Sequence, residues 1–322
     1  MTDTILTMKP LRLRVFDLID VLIVSEPEQI QWLNEQPNVT RRIDGSHGFL
    51  HRFLAQRLHE DLSFGGKELP VFRRREDEER AQKQKQLEVR LETMRGAPGE
   101  DRDDIAAYVS GHKDVPEIGV TVQHWCGRLF SNRFMTTGDT YEAGRMIAGW
   151  ASAAPWHTWK HRVTGRLSRA KSLLQAAAEG DLHCVHATSI GMENVTRTVR
   201  KLRKAAQRAD KQNLSTDEIL RECLYAPPAL VRGCSGPVSV PFLDHPLTKR
   251  SLIVFLVARA YAASGDLDIA FLSDGWSACP ARRVVPEMLR AVWQAAHHDE
   301  AEAKRLISTI NSWSRLWHRA VS

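Results

Sequence analysis

The sequence predicts a protein that is mainly α-helical and contains a small β-sheet. Apolar residues recur at helical spacing over most of the chain, as in the stripe Leu306, Ile310 and Trp313. Runs with β-like composition are few and short, such as residues 20–24 and 251–257. The 322 residues are 43% hydrophobic, which is enough apolar material for one large core. We therefore expect one domain with a largely helical core.

The elements of the first half follow in chain order. Residues 20–24 (DVLIV) predict a buried strand, and a helix begins next because Ser25 can cap it and Pro27 suits its first turn. Residues 49–62 have apolar positions at helical spacing. Residues 72–104 are dominated by charge and predict a solvent-exposed helix followed by a loop rich in Gly and Pro.

The second half is helical for most of its length. Residues 166–179 and 182–212 predict two helices, because Gly180 and Asp181 interrupt the pattern between them. Residues 217–224 predict a shorter helix that ends before two consecutive prolines.

The composition restricts the compartment and the partners. The net charge is only +6, and the apolar run 252–263 contains Arg259 and is too short to span a membrane. The N-terminus lacks the long apolar region of a signal peptide. The sparse, odd set of cysteines does not form a disulfide framework; it comprises Cys126, Cys184, Cys223, Cys234 and Cys279. These features predict a soluble cytoplasmic protein that does not bind membranes.

Histidine, cysteine and basic residues suggest two kinds of site, a zinc site and a nucleic-acid surface. His183, Cys184 and His186 are possible zinc ligands, but neighbouring side chains on a helix point apart and do not readily share one ion. The basic residues of 196–211 could neutralise phosphates. No DNA- or RNA-binding motif accompanies them, so a solvated helix face explains them better. We expect neither a zinc site nor nucleic-acid binding.

Cys279 lies in the segment with the most informative chemistry, residues 271–293. It precedes a helical pattern, and the free N–H groups and dipole at a helix N-terminus favour negative charge. Arg282 and Arg283 add positive charge. Such surroundings lower the pKa of a thiol and favour the thiolate, the form that binds metals or acts as a nucleophile. The alternative is that Cys279 is a small buried apolar residue.

This segment resembles the heme-binding loop and following helix of the cytochrome P450 superfamily. In that pattern a Gly lies four residues before the ligand Cys and a small residue two after it, and Gly275 and Ala281 stand at these positions around Cys279. The resemblance implies that Cys279 is the axial ligand of a heme iron, whose thiolate supports O–O bond cleavage.

The segment SIGMENVTRT resembles the central oxygen-activating helix of the same superfamily. The resemblance places Gly191, Glu193 and Asn194 over the distal face of the heme, where Gly191 leaves room and an acid next to a hydroxyl relays protons. Asn194 stands at the hydroxyl position, and an amide does not relay a proton as an alcohol does. Peroxide-driven or other non-monooxygenase chemistry therefore stays open.

Glu218 and Arg221 match the Glu-x-x-Arg motif of the superfamily, whose buried ion pair is structural. If Pro227 sets the register instead, Leu220 and Cys223 take the motif positions and the pair is absent. Both registers are compatible with the sequence.

The resemblance implies a compact cytochrome P450-like fold over residues 1–322, with the heme-binding core in 182–293 and the charged helix and loop in 72–104. It implies heme b as cofactor, and the residues expected to contact it are Cys279, Gly191, Gly275, Arg232 and Arg128, the two arginines through a propionate.

The implied function is that of a heme-thiolate oxidoreductase, such as a monooxygenase, acting on a small organic molecule in biosynthetic tailoring. Arg282, Arg283 and Arg290 form a basic surface that suits an acidic ferredoxin. The alternative is a heme-free protein of the same fold that binds or activates another protein.

Overall fold

The computed structural model describes much of the chain between residues 10 and 297. The described residues are 10–15, 19–40, 63–69, 78, 82, 85, 86, 89, 100–112, 117–131, 133–152, 163–208, 214–272, 279, 282 and 284–297. Gly275, Ala281 and Arg283, the predicted helix in 49–62 and the C-terminal apolar stripe lie outside them.

A five-stranded mixed sheet occupies one side of the described structure. Its strands, in spatial order, are β1 (Leu11–Val15), β2 (Ile19–Val24), β7 (Ser251–Phe255), β6 (Leu230–Cys234) and β3 (Val39–Thr40). Only the β2–β7 pair is parallel, with Val21 opposite Leu252. A separate hairpin pairs β4 (Ser63–Phe64) with β5 (Lys67–Glu68). The central strand β7 is buried at four of its five positions, and Leu22 and Val24 of β2 are buried beside it, as expected for strands covered on both faces.

Helices account for most of the remaining described residues. They are α1 (Pro27–Glu35), α2 (Glu100–Ser110), α3 (Ile118–Arg128), α4 (Gly138–Ser152), α5 (Arg166–Ala177), α6 (Leu182–His186), α7 (Met192–Ala206), α8 (Thr216–Cys223), α9 (Val257–Ser264), α10 (Leu267–Phe271) and α11 (284–297). A π-helical turn, Ala187–Gly191, joins α6 to α7. The predicted class, mainly α with a small sheet, is confirmed.

Local sequence explains where several helices begin. Gly180 has φ +79°, a conformation that glycine adopts without strain, and Asp181 then caps α6 by accepting from the N–H groups of His183 and Cys184. Helix α1 has Pro27 in its first turn as predicted. Its N-cap is Glu26, however, so the prediction that Ser25 caps it is wrong by one residue.

The helical part of the charged segment behaves as its composition predicts at the described positions, whereas the loop predicted up to residue 104 is wrong at its end, because α2 begins at Glu100 and residues 101, 102 and 104 are partly buried. Residues 78, 82, 85, 86 and 89 are all helical and exposed. Their spacing places them on one side of a helix, so this side faces solvent.

Helix α6, the π-helical turn and α7 together form one long helix, residues 182–206. The core joins the sheet to this long helix. Met192, Val195 and Val199 of α7 belong to the same buried cluster as Ile253 of β7 and Leu220 of α8. In the described residues, no helix combines the length and the apolar character needed to cross a membrane.

Candidate functional site

The segment with the sequence SIGMEN lies where the long helix departs from α geometry. The π-helical turn ends at Gly191, and α7 begins at Met192. Such turns are rare and occur frequently at functional sites, because the extra residue re-aims side chains and carbonyl groups. The backbone is therefore irregular at the position where the sequence predicts oxygen activation.

One face of this helix is accessible although its other face is in the core. The partly exposed residues are His183, His186, Ala187, Ile190, Gly191, Glu193 and Asn194. Met192 and Val199 are fully buried. A Cβ atom at Gly191 would lie 3.6 Å from the carbonyl oxygen of His186, an ordinary contact, so its described neighbours leave open space. This face offers a surface against which a flat group could lie.

Glu193 is engaged by its own helix. Its Oε1 accepts from Arg197 Nε at 2.7 Å, and Arg197 Nη1 donates to the Tyr225 hydroxyl at 2.8 Å. The Arg197 guanidinium also lies 4.8 Å from the centre of the Tyr225 ring. Burial acts to lower the pKa of Arg197, but the hydrogen bonds and charges of Glu193 and Tyr225 together outweigh it, and the pKa is raised. A proton relay through Glu193 would have to compete with this ion pair.

Cys279 differs from the other four cysteines in its access to solvent. Cys279 is partly exposed, whereas the others are buried. Burial raises the pKa values of the Cys126 and Cys234 thiols to about 12, which leaves them without thiolate character at neutral pH. Because its side chain is partly exposed to solvent, Cys279 is the cysteine best suited to bind a metal.

The loop that carries Cys279 is attached to the core by its backbone. The N–H of Cys279 donates to the carbonyl oxygen of Phe271 at 3.1 Å, and the N–H of Arg282 donates to the carbonyl oxygen of Cys279 at 3.1 Å. Leu272 has φ +47°, an uncommon conformation for a residue with a side chain, and its side chain is buried. This left-handed conformation ends α10 at its C-cap.

Arg232 is a buried cation on β6. It is 2% exposed, its Nη1 donates to the Val231 carbonyl oxygen at 3.0 Å, and its guanidinium lies 5.5 Å from the centre of the Phe255 ring. A guanidinium binds a carboxylate with two parallel hydrogen bonds, so this position is chemically suited to a propionate.

Arg128 has a different environment from Arg232. It ends α3, its side chain is 42% exposed, and its Nη1 lies 3.9 Å from Asp101 on α2. Asp101 also bonds the Nδ1 atom of His124 at 2.9 Å. The described ionic partner of Arg128 is thus an acid of a neighbouring helix, which gives no support to the predicted propionate contact.

The predicted buried ion pair between Glu218 and Arg221 is wrong. Both residues are exposed, and Glu218 forms a capping box with Ser215, accepting from its backbone N–H at 2.8 Å and from its hydroxyl at 2.7 Å. The core side of α8 carries Leu220 and Cys223. The helix follows the register that the prolines set, because burying these apolar residues turns the charged positions outwards.

The basic surface predicted around α11 is partly neutralised. Arg290 donates to Asp217 through Nη2 at 2.8 Å and through Nε at 3.2 Å. The hydrogen bond and charge of Arg290 lower the pKa of Asp217. Arg282 is partly exposed.

Sequence reasoning missed the residues that support the π-helical turn. Gln123 of α3 is fully buried and donates to the carbonyl oxygens of Thr140 and Thr188, both at 2.9 Å. Gly144 of α4 passes close to the same carbonyl of Thr188. A glycine in the middle of α4 was the available indication, since glycine weakens a helix and needs a packing reason.

The chain was compared with family models, curated proteins and solved structures, and only the solved structures match it. Neither a protein-family model nor a curated protein matches the chain. Solved structures do match, among them CYP164A2 from Mycobacterium smegmatis with econazole bound, at a TM-score of 0.58 and 12% identity, covering 91% of this chain and 87% of that one.

Two further solved structures show the same likeness. The mycinamicin VIII C21 methyl hydroxylase MycCI from Micromonospora griseorubida has a TM-score of 0.53 and 14% identity, covering 90% of this chain and 86% of that one. The tirandamycin C-bound P450 monooxygenase TamI has a TM-score of 0.55 and 12% identity, with coverages of 90% and 86%. These likenesses show that the chain has the cytochrome P450 fold, as the sequence resemblance predicted.

Proposed function

We propose that the chain is a heme-thiolate oxidoreductase that acts on a small organic molecule, with Cys279 as the axial ligand of heme b. The observation that carries the proposal is the partial solvent exposure of Cys279, since the other four cysteines are buried. Its loop is fastened to Phe271 in a chain that has the cytochrome P450 fold. A thiolate-bound heme supplies the electron density that favours O–O cleavage.

The residues proposed to contact the heme fit this cofactor in chemical kind. Arg232 is a buried guanidinium able to bind one propionate, and the accessible face at Gly191 suits the flat side of a porphyrin. Gly275 remains a proposed loop contact and Arg128 a weaker propionate candidate. The role of Arg128 is weaker because Asp101 already pairs with it.

The distal residues favour restricted proton transfer. The Glu193 carboxylate is held by Arg197 at 2.7 Å, and Asn194 offers an amide that donates and accepts hydrogen bonds without relaying a proton. We therefore keep peroxide-driven or other non-monooxygenase chemistry as part of the proposal. Protonation at this position would have to come through water or through the substrate itself.

The substrate class, partner and compartment are proposed by analogy and by charge. MycCI and TamI were solved with mycinamicin VIII and tirandamycin C, so a small organic molecule in biosynthetic tailoring is the proposed substrate. An acidic ferredoxin would meet Arg282 and the partly neutralised Arg290. We propose a cytoplasmic location because five sparse cysteines without a disulfide framework fit a reducing compartment.

An absorption spectrum of the heme-supplied protein, reduced and exposed to carbon monoxide, tests the proposal. We expect a strongly red-shifted Soret band that is lost in Cys279→Ala and retained in the matched control Cys223→Ala, whose thiol is buried in α8. Retention of the band in Cys279→Ala would show that another residue binds the iron.

A second candidate function is a heme-free protein that binds or activates a partner. The observation that favours it is the exposure of Glu218 and Arg221, because α8 then lacks the buried ion pair that the motif implies. A well-folded wild-type protein without stoichiometric heme would support this candidate, and a pull-down with purified biosynthetic enzymes would then identify the partner.

A further inference from the structure

The π-helical turn has a hydrogen-bonding pattern in which a side chain replaces a backbone donor. In an α-helix each N–H bonds to the carbonyl four residues earlier, which for Met192 is that of Thr188. The N–H of Met192 bonds instead to the carbonyl oxygens of Ala187 and Ser189. The Thr188 carbonyl accepts from Gln123 Nε2 at 2.9 Å. Gln123 therefore uses the acceptor that α geometry would give to Met192.

The amide of Gln123 is oriented by Thr140 at the start of α4. The Thr140 hydroxyl lies 3.2 Å from Gln123 Oε1 and 2.9 Å from the Thr137 carbonyl oxygen, so these two acceptors share its single hydrogen, and Gln123 Nε2 donates to the Thr140 carbonyl oxygen at 2.9 Å. Together with the bond to Thr188, these contacts use both hydrogens of the amide and one acceptor position. Because Gln123 is fully buried, loss of the Thr188 bond would leave a polar hydrogen without water to replace it.

The packing of α4 leaves room for this arrangement through a missing side chain. A Cβ atom at Gly144 would lie 2.5 Å from the Thr188 carbonyl oxygen, 2.8 Å from Gln123 Nε2 and 3.2 Å from Met192 Cε. The first two distances are shorter than any normal contact, so α4 approaches the turn closely only because residue 144 is glycine.

We propose that Gln123 is a positioning residue that holds the π-helical turn open and thereby sets where Gly191 and Asn194 lie on the accessible face of the long helix. The turn has two arrangements that compete for the Thr188 carbonyl, one with Gln123 as donor and one with the N–H of Met192. Conversion to the second removes the π-helical turn and rotates α7 relative to α6. The consequence for a bound ligand rests on the proposed heme function, whereas the consequence for the backbone does not.

Crystal structures of the wild type and of Gln123→Met, both without added heme, test the backbone part. Methionine matches the length of glutamine but has no N–H, so we expect α geometry at 187–191 with the N–H of Met192 on the Thr188 carbonyl. Persistence of the π-helical turn in Gln123→Met would overturn the inference. If this variant does not fold, Gln123→Asn serves, because its shorter amide stays polar but falls short of Thr188.

Optical titration of the heme-supplied protein with imidazole tests the positioning part. We expect the Kd for imidazole to change by about tenfold in Gln123→Met, since small displacements at a reacting centre have effects of this size or larger. The matched control is Gln29→Met, a buried glutamine on α1, for which we expect an unchanged Kd. Equal effects of both variants would reduce Gln123 to a structural role. A wild type that takes no heme would refute the proposed function, and the crystal structures alone would then decide the inference.

Discussion

The long helix and α8 each contain a segment that matches a superfamily motif, yet the structure treats the two differently. In the long helix the matching segment coincides with a π-helical turn supported by Gln123 of α3. In α8 the matching segment is a regular helix with a capping box, and Glu218 and Arg221 face solvent. The match in the long helix lies at an irregular backbone segment, whereas the match in α8 lies on the solvent-exposed side of a regular helix.

The two motifs have different structural requirements, and this explains the difference. A small residue beside an accessible face is a property of local packing, and the long helix has this property at Gly191. A buried ion pair requires that two charged positions face the core, and helical phase decides that. In α8 the apolar residues Leu220 and Cys223 have the larger free energy to gain from burial, so they occupy the core side.

The largest effect is expected for Leu220→Glu, which places a charge on the core side of α8. Leu220 is 7% exposed in the main core, so an unpaired carboxylate there should lower the free energy of unfolding by about 3 kcal/mol or more. Urea denaturation measures this, with Glu222→Gln on the exposed side as control. A change of less than about 1 kcal/mol would mean that α8 is not anchored through this face.

Gly144→Ala should have the next largest effect because it acts on the support of the π-helical turn. Its Cβ would lie 2.5 Å from the Thr188 carbonyl oxygen, so overpacking should lower the free energy of unfolding by about 1–3 kcal/mol. Gly149→Ala is the matched control on α4, since nothing lies within 4 Å of its Cβ position, and we expect it to be neutral or stabilising. Equal thermal unfolding of the two variants would contradict the close approach of α4.

Ser215→Ala should have a smaller effect, confined to the start of α8. The Ser215 hydroxyl accepts from the N–H of Glu218 at 3.3 Å, and loss of such a cap typically lowers the free energy of unfolding by about 1 kcal/mol. Ser215→Asp keeps an acceptor at the cap and should retain most of the stability. Hydrogen exchange of the first turn of α8 distinguishes the two variants, and identical exchange would argue against the capping box.

Arg221→Ala should have the smallest effect, and it separates the two registers of α8 most directly. Arg221 is exposed, so the free energy of unfolding should change by no more than about 0.5 kcal/mol. A buried ion pair would predict a loss of about 3–5 kcal/mol. The bond from the Tyr261 hydroxyl to the backbone carbonyl of Arg221 survives this substitution, so it does not confuse the result. A large loss on urea denaturation would restore the predicted pair.

Part of the candidate site was predictable from the sequence and part was not. Local patterns single out the segment around Gly191 and Cys279, and their roles stay predictions; the structure shows a π-helical turn that ends at Gly191 and a partly exposed Cys279. The pairing of Arg128 with Asp101 was not predictable, because many arginines in the chain could have met an acid and only packing selects the pair.

The amino-acid sequence by itself determined the helical class, the short strands, the interruption at Gly180 and the exposure of the described charged-segment positions between 78 and 89. These depend on interactions between residues a few positions apart, which the sequence displays directly. Only the tertiary structure decided the phase of α8, the burial of Arg232 and the donor that reaches Thr188. Gln123 lies 65 positions from its acceptor, and no local rule selects a partner at that separation because the fold must first bring α3 and the long helix together.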